Sequence, residues 1–136
     1  MTSNTSTSDK KYTQGIGRRK TSIASVRITP SAKTSFTLNE KDLNTYFPTA
    51  ELQQIAMDAL AKSAEKFKVT AMLSGGGIHS QAEALRHGIA RALIQHDIAL
   101  RGSLKKEGFL KRDPRAKERR KFGLKKARKS PAWSKR

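Results

Sequence analysis

The sequence predicts an α+β domain with a long basic extension, and three observations carry that expectation. Three short segments alternate apolar and polar residues at the period of a strand, and two longer ones repeat apolar residues at the period of a helix. The third is charge asymmetry. Residues 101–136 hold 16 Lys and Arg against three acids, a net +13 out of the chain's +18. Removing that tail and a polar start leaves about 85 residues, enough for one small core.

In chain order, residues 1–14 are rich in Ser and Thr, lack the apolar run of a signal peptide, and read as a flexible lead. The domain is expected over residues 15–107 and the tail over residues 108–136. Gly15-Ile16-Gly17-Arg18-Arg19-Lys20 opens the domain with two small residues and three adjacent cations. Two readings stand side by side: the glycines let the backbone approach phosphates that Arg18, Arg19 and Lys20 clamp, or the segment is an edge strand whose charges oppose aggregation. Residues 21–29 alternate Ala24, Val26 and Ile28 against Ser25, Arg27 and Thr29, a half-buried strand ended by Pro30. Residues 35–38 form a second strand with Phe36 and Leu38 inward, and Asn39-Glu40 begins a turn. Residues 42–47 form a helical turn stopped at Pro48. Thr49 caps a helix to about Ala64, with Leu52, Ile55, Ala56, Ala59 and Leu60 at helical spacing.

A third strand, residues 67–73, sets Phe67, Val69, Ala71 and Leu73 on one face and runs into Gly75, Gly76 and Gly77. A helix over residues 80–96 follows. Glycines ahead of a helix N-terminus make either an anion-binding concavity or a tight turn. Neither a Gly-Lys-Ser/Thr ending nor a Gly-x-Gly-x-x-Gly pattern accompanies them. On the helix Ala82, Leu85, Ile89, Ala92 and Leu93 form the buried stripe. Arg86 and Arg91 lie off it, as phosphate contacts or as part of a wet face with Glu83.

The apolar residues after position 100, Leu104, Phe109 and Leu110 among them, are scattered among like charges, so order in this stretch is expected to come from a partner. Its cations cluster in pairs and triples between Gly108, Pro114, Gly123 and Pro131, with Phe109, Phe122 and Trp133 interleaved. That pattern suits a phosphate backbone with rings for base stacking. The cations expected to meet RNA are Arg112, Arg115, Lys117, Arg119, Arg120, Lys121, Lys125, Lys126, Arg128 and Lys129. At ~3.3 Å per residue the stretch beyond Gly108 reaches about 90 Å when fully extended. A tail that merely tunes solubility is the plainer alternative, and the length and the aromatics speak against it.

Catalytic chemistry is missing. His79, His87 and His96 are not at metal-binding spacing, the carboxylates are scattered, no hydroxyl sits in a nucleophile motif, and there is no cysteine. Neither an enzyme nor a cofactor or metal is expected, and no segment has the length to span a bilayer. Charge alone would equally suit a DNA-compacting protein. A membrane-active peptide is disfavoured, because Lys and Arg spread around any helix drawn through residues 111–129.

Taken in order, the motifs resemble one family. Gly15 through Thr21, then Gly75-Gly76-Gly77, the run QAEALRHGIARAL from Gln81 to Leu93, Asp113-Pro114-Arg115 with Lys117-Glu118-Arg119, the run KFGLKKAR from Lys121 to Arg128, and Ser134-Lys135-Arg136 are similar to the S-nine family of small-subunit ribosomal proteins, bacterial type. The resemblance covers residues 12–136. It implies a structural, non-enzymatic ribosome constituent of the cytoplasm, folded as a small mixed sheet packed against helices, like the second domain of ribosomal protein S-five. It further implies binding to 16S-type ribosomal RNA in the subunit head beside neighbouring head proteins, with no membrane and no small-molecule substrate. Ser134, Lys135 and Arg136 would then touch the anticodon stem-loop of the peptidyl-site transfer RNA. The sequence departs from the family at Asn39-Glu40, where Asn-Gly is common, which leaves that turn's type open, and at Trp133, where Phe is common.

Overall fold

A computed structural model describes residues 12–132. Its sheet runs β1 (Thr13–Arg19), β2 (Ser22–Pro30), β3 (Ser35–Leu38), β4 (Lys41–Asp42) and β5 (Phe67–Ser74), and its helices α1 (Leu43–Tyr46), α2 (Ala50–Met57), α3 (Ile78–His96) and α4 (Arg101–Lys106). Strand order is β1-β2-β5-β3-β4, with β3 parallel to β5 and the other pairings antiparallel. This is the expected α+β class, a five-stranded mixed sheet packed on helices.

The period-two residues of β2 and β5 face one way, and the register pairs Ala24 with Leu73, Val26 with Ala71 and Ile28 with Val69. That face is buried, with the stripe of α3 (Ala82, Leu85, Ile89, Ala92, Leu93) completing the core. Thr49 caps α2 as expected, its hydroxyl accepting from the Leu52 N–H at 3.3 Å. The Asn39-Glu40 turn has φ of +49° and +69°, the paired positive values of a type I′ hairpin turn. Asn39 also anchors it: its amide accepts from the Leu73 N–H and donates to the Leu73 carbonyl, both at 2.8 Å.

Four expectations need correction. The edge-strand reading of the Gly15–Lys20 segment holds, but the strand spans residues 13–19, so Thr13 and Gln14 belong to the sheet and not to the lead. The glycines of that strand serve helix packing: a Cβ on Gly17 would lie 1.8 Å from the Ala84 carbonyl oxygen, and one on Gly15 would lie 2.3 Å from the Gly88 oxygen. Their bare face is filled by α3, leaving no room there for a phosphate. The helix expected to reach Ala64 ends at Met57 and passes into a 3₁₀ turn, Leu60–Lys62. Its hydrogen bonds tighten from Asp58 N–H to Ile55 O at 3.4 Å onward, and both windings keep Ala59 and Leu60 in the core.

Finally, the domain itself orders the first part of the basic stretch. Leu104 on α4 is fully buried, and Phe109 and Leu110 pack on the core. Gly108, at φ +80°, closes α4 in a Schellman turn, with Phe109 N–H bonded to Leu104 O and Gly108 N–H to Lys105 O, both at 3.1 Å. Beyond it, residues 111–132 contain turns and bends but no helix or strand, and most are exposed.

Candidate nucleic-acid interface

Alternation along β1 decides the fate of its cations. Gly15, Gly17 and Arg19 point to the helix side of the strand, Ile16 and Arg18 to the open side. Arg19 is therefore drawn inward, its side chain only 11% exposed, with Nε donating to Glu83 Oε2 of α3 at 2.6 Å. Its guanidinium also lies 3.7 Å from the Asp113 carboxylate and donates to the Arg115 carbonyl. Arg112 reaches back to the Lys20 carbonyl at 3.4 Å. Lys20 occupies the β1–β2 turn with φ +55° and an exposed side chain.

The two helix arginines are also committed within the protein. Arg86 lies 4.9 Å over the Phe109 ring and 3.6 Å from Asp58, while Arg91 donates to the Ile16 carbonyl of β1 at 2.8 Å. Between them His87 bridges two segments: Nδ1 accepts from the Arg18 N–H at 3.3 Å and Nε2 meets the Leu110 carbonyl at 3.2 Å. A ring nitrogen that accepts a hydrogen bond carries no proton, so the neutral ring with its proton on Nε2 fits this pair. Burial holds the His87 pKa below its ordinary value, and the charges of Arg91 and Arg112 act in the same direction against the Leu110 carbonyl.

The glycine turn lies beside the β1–β2 turn. Gly75 and Gly76 have φ of +72° and +60°, and their missing Cβ atoms would strike Thr21 and Ser22. Ser22 and Gln81 side chains both donate to the Gly75 carbonyl at 3.0 Å. A tight strand-to-helix turn accounts for these residues. No side chain caps α3 at Gly77.

In the tail Asp113 accepts from Arg115 three ways, Nε at 3.1 Å, NH2 at 2.9 Å and the backbone N–H at 2.9 Å. Those side-chain bonds, then the backbone one, hold its carboxyl well below the usual range. Glu118 takes Lys121 at 2.8 Å and Arg128 at 2.7 Å, and these bonds depress its pKa. Arg120 donates to the Lys125 carbonyl at 2.8 Å. Among the described residues, Arg18, Lys20, Lys117, Arg119, Lys125, Lys126 and Lys129 have no carboxylate at salt-bridge distance. Trp133, Ser134, Lys135 and Arg136 lie outside the described residues.

The expected cations thus divide. Arg19, Arg86, Arg112 and Arg115 gather where the tail leaves the domain, Arg91 staples the edge strand, and the lysine-rich remainder faces outward. Sequence reasoning missed His87 as a bridge and Arg19 as an inward residue. The edge-strand reading, followed through, would have found the latter, since Gly15, Gly17 and Arg19 share its period-two face. Among the described residues no three His, Asp or Glu gather as a metal site, and no helix is long and apolar enough to cross a membrane. A sheet backed by helices, with outward cations concentrated in one terminal segment, agrees with the comparison against known families: the family model described as ribosomal protein S9/S16 matches residues 17–136, and the chain belongs to that family.

Proposed function

We propose that this ribosomal protein sits in the head of the small subunit on 16S-type ribosomal RNA, beside neighbouring head proteins, and that its C-terminus contacts the peptidyl-site transfer RNA. Family membership makes it a structural, non-enzymatic ribosomal protein that binds ribosomal RNA and serves translation. The finer placement rests on one observation above all. Past Asp113, among the described residues, the cations lie on a segment without helix or strand, and most of them are opposed by no carboxylate.

Such a segment gains order by lying along phosphates, with counterion release offsetting the entropy lost. Arg18 and Lys20 at the sheet edge, and the exposed Lys117, Arg119, Lys125, Lys126 and Lys129, are the phosphate contacts. Glu118 gives up Lys121 and Arg128 to RNA at little loss, because exposed ion pairs contribute little. At the end of the chain, Arg136 offers a planar fork that grips a phosphate bidentately, with Ser134 and Lys135 beside it.

Small subunits reconstituted with the full chain, or with a chain lacking Ser134, Lys135 and Arg136, test both parts. We expect equal co-sedimentation with the subunit at moderate salt, and faster dissociation of transfer RNA from the truncated particles, by about tenfold for one missing charge-assisted bond. Recovery of the full chain as free protein would overturn the ribosomal RNA docking. Unchanged transfer RNA dissociation would overturn the terminal contact.

A further inference from the structure

We propose that Arg19 is a positioning residue and not an RNA ligand: with Glu83, Asp113 and Arg112 it clamps the root of the tail to the domain before any RNA is bound. The consequence for the ribosome rests on the function proposed above, but the clamp is a property of the free chain.

The cross-links fall in register. Arg86 of α3 covers Phe109, and at the next position of the same helix His87 meets the Leu110 carbonyl. Arg112 then bonds the Lys20 carbonyl, Asp113 approaches Arg19, and the Arg115 carbonyl takes an Arg19 N–H. Residues 109–115 are therefore tied to α3 and to the end of β1 at nearly every step.

Charge says what this place rejects. The Arg19 side chain is 11% exposed, and its guanidinium stands between the carboxylates of Glu83 and Asp113. A phosphate brought there would face two negative groups for one cation already satisfied by both. Like charges at that range repel, so polyanion is turned away from Arg19 and toward neighbouring cations that lack carboxylates.

The placement of acids in the basic stretch supports the same device independently. Residues 101–136 contain three acids. Glu107 pairs with Lys62 of the domain at 3.1 Å, Asp113 approaches Arg19, and Glu118 holds Lys121 and Arg128 within the tail. Glu107 thus fixes α4 to the body, Asp113 fixes the tail root that follows it, and only Glu118 pairs wholly within the tail. A tail fixed at residue 115 starts in one direction, and the length of chain that must be ordered by RNA begins there and not at Gly108, which reduces the ordering entropy of threading.

The test uses the free full-length chain. Backbone amide order parameters from NMR relaxation at residues 111–113 are compared in wild type, Arg19→Gln, Asp113→Asn and Lys20→Gln. We expect values near that of rigid backbone, about 0.85, in wild type to fall below about 0.6 in Arg19→Gln and in Asp113→Asn, with β2, β5 and α3 unchanged and Lys20→Gln like wild type. Arg19→Lys, which keeps the charge but loses the fork, should recover only part of the order. Should Arg19→Gln loosen the core itself, Asp113→Asn decides, because Asp113 lies outside the buried core. Equal order parameters in wild type and Asp113→Asn would overturn the clamp. So would an Arg19→Gln chain whose core is intact and whose salt slope of RNA binding drops by the value of one neutralised phosphate, about 0.7 to 0.9. Failure of the chain to bind ribosomal RNA at all would overturn the proposed function and leave the order-parameter result standing.

Discussion

Replacing Gly17 with alanine puts a methyl group where the backbone of α3 already lies. The added Cβ would be 1.8 Å from the Ala84 carbonyl oxygen and 2.3 Å from the Gly88 nitrogen. Both are main-chain atoms in mid-helix, so no rotamer change relieves the overlap and the helix must retreat by more than 1 Å to restore contact near 3.0 Å. Gly88 is itself closely seated on the sheet, where a Cβ would lie 2.7 Å from Val26 Cγ2, so the retreat also loosens α3 over β2. Retreat opens the α3–β1 seam along its length, so the penalty belongs at the top of the overpacking range, about 3 kcal/mol. In a domain of this size that lowers the midpoint by about 12 to 24 °C. Gly102 is the internal control: it sits in α4 with nothing within 4 Å of its missing Cβ, and alanine there should raise stability by about 0.5–1 kcal/mol. Thermal and urea unfolding followed by circular dichroism measure both. Equal midpoints for Gly17→Ala and Gly102→Ala would refute the claim that helix contact is what keeps β1 glycine-rich.

Three further outcomes follow from the geometry. Leu104→Ala should destabilise the domain by about 2–5 kcal/mol, since Leu104 is fully buried; an unfolding midpoint like wild type would remove α4 from the core. For His87, the folded pKa lies below the ordinary 6.5, so its contribution to stability is complete above that pH and is lost as pH falls toward the folded value, where protonation breaks the bond from the Arg18 N–H; unfolding free energies of wild type and His87→Gln that fall in parallel between pH 7 and 5 would contradict this. Replacing Lys125, Lys126, Arg128 and Lys129 with glutamine should flatten the salt dependence of RNA binding by about 0.7 to 0.9 for each phosphate no longer neutralised, and an identical slope would place those side chains away from RNA.

Much of the fold was legible because its signal is local. Ala24, Val26 and Ile28, or Phe67 through Leu73, announce half-buried strands by alternation alone, and their inward residues are all buried. Strand β1 stood only as one of two readings because its inward positions are Gly15, Gly17 and Arg19, which carry no hydrophobic signal. The reason for the two glycines, the backbone of α3, lies some seventy residues away. Helix α4 was hidden by charge: Leu100 and Leu104 are a proper i, i+4 pair with Gly108 as a stop, yet among the surrounding lysines the pair carried no helix signal. The candidate site was legible in composition and poorly so in roles, since no local pattern shows that Arg91 will bond the Ile16 carbonyl or that Arg86 will cover Phe109.

The division among the cations has a chemical logic that a charge count conceals. Arg19, Arg86, Arg91 and Arg112 are committed to carboxylates, carbonyls and a ring, tasks that use the guanidinium's several donors and flat face. The exposed cations without carboxylates are mostly lysines, point charges that hold a phosphate at many angles and so tolerate a backbone whose shape is set by the RNA. On the function proposed above, an arginine count would therefore overstate the RNA contacts of the folded body, and the unpaired lysines of the tail are the better guide to them. Exchanging Lys20 for Arg should leave the body unchanged, while exchanging Arg19 for Lys should release the tail root, although each swap conserves charge.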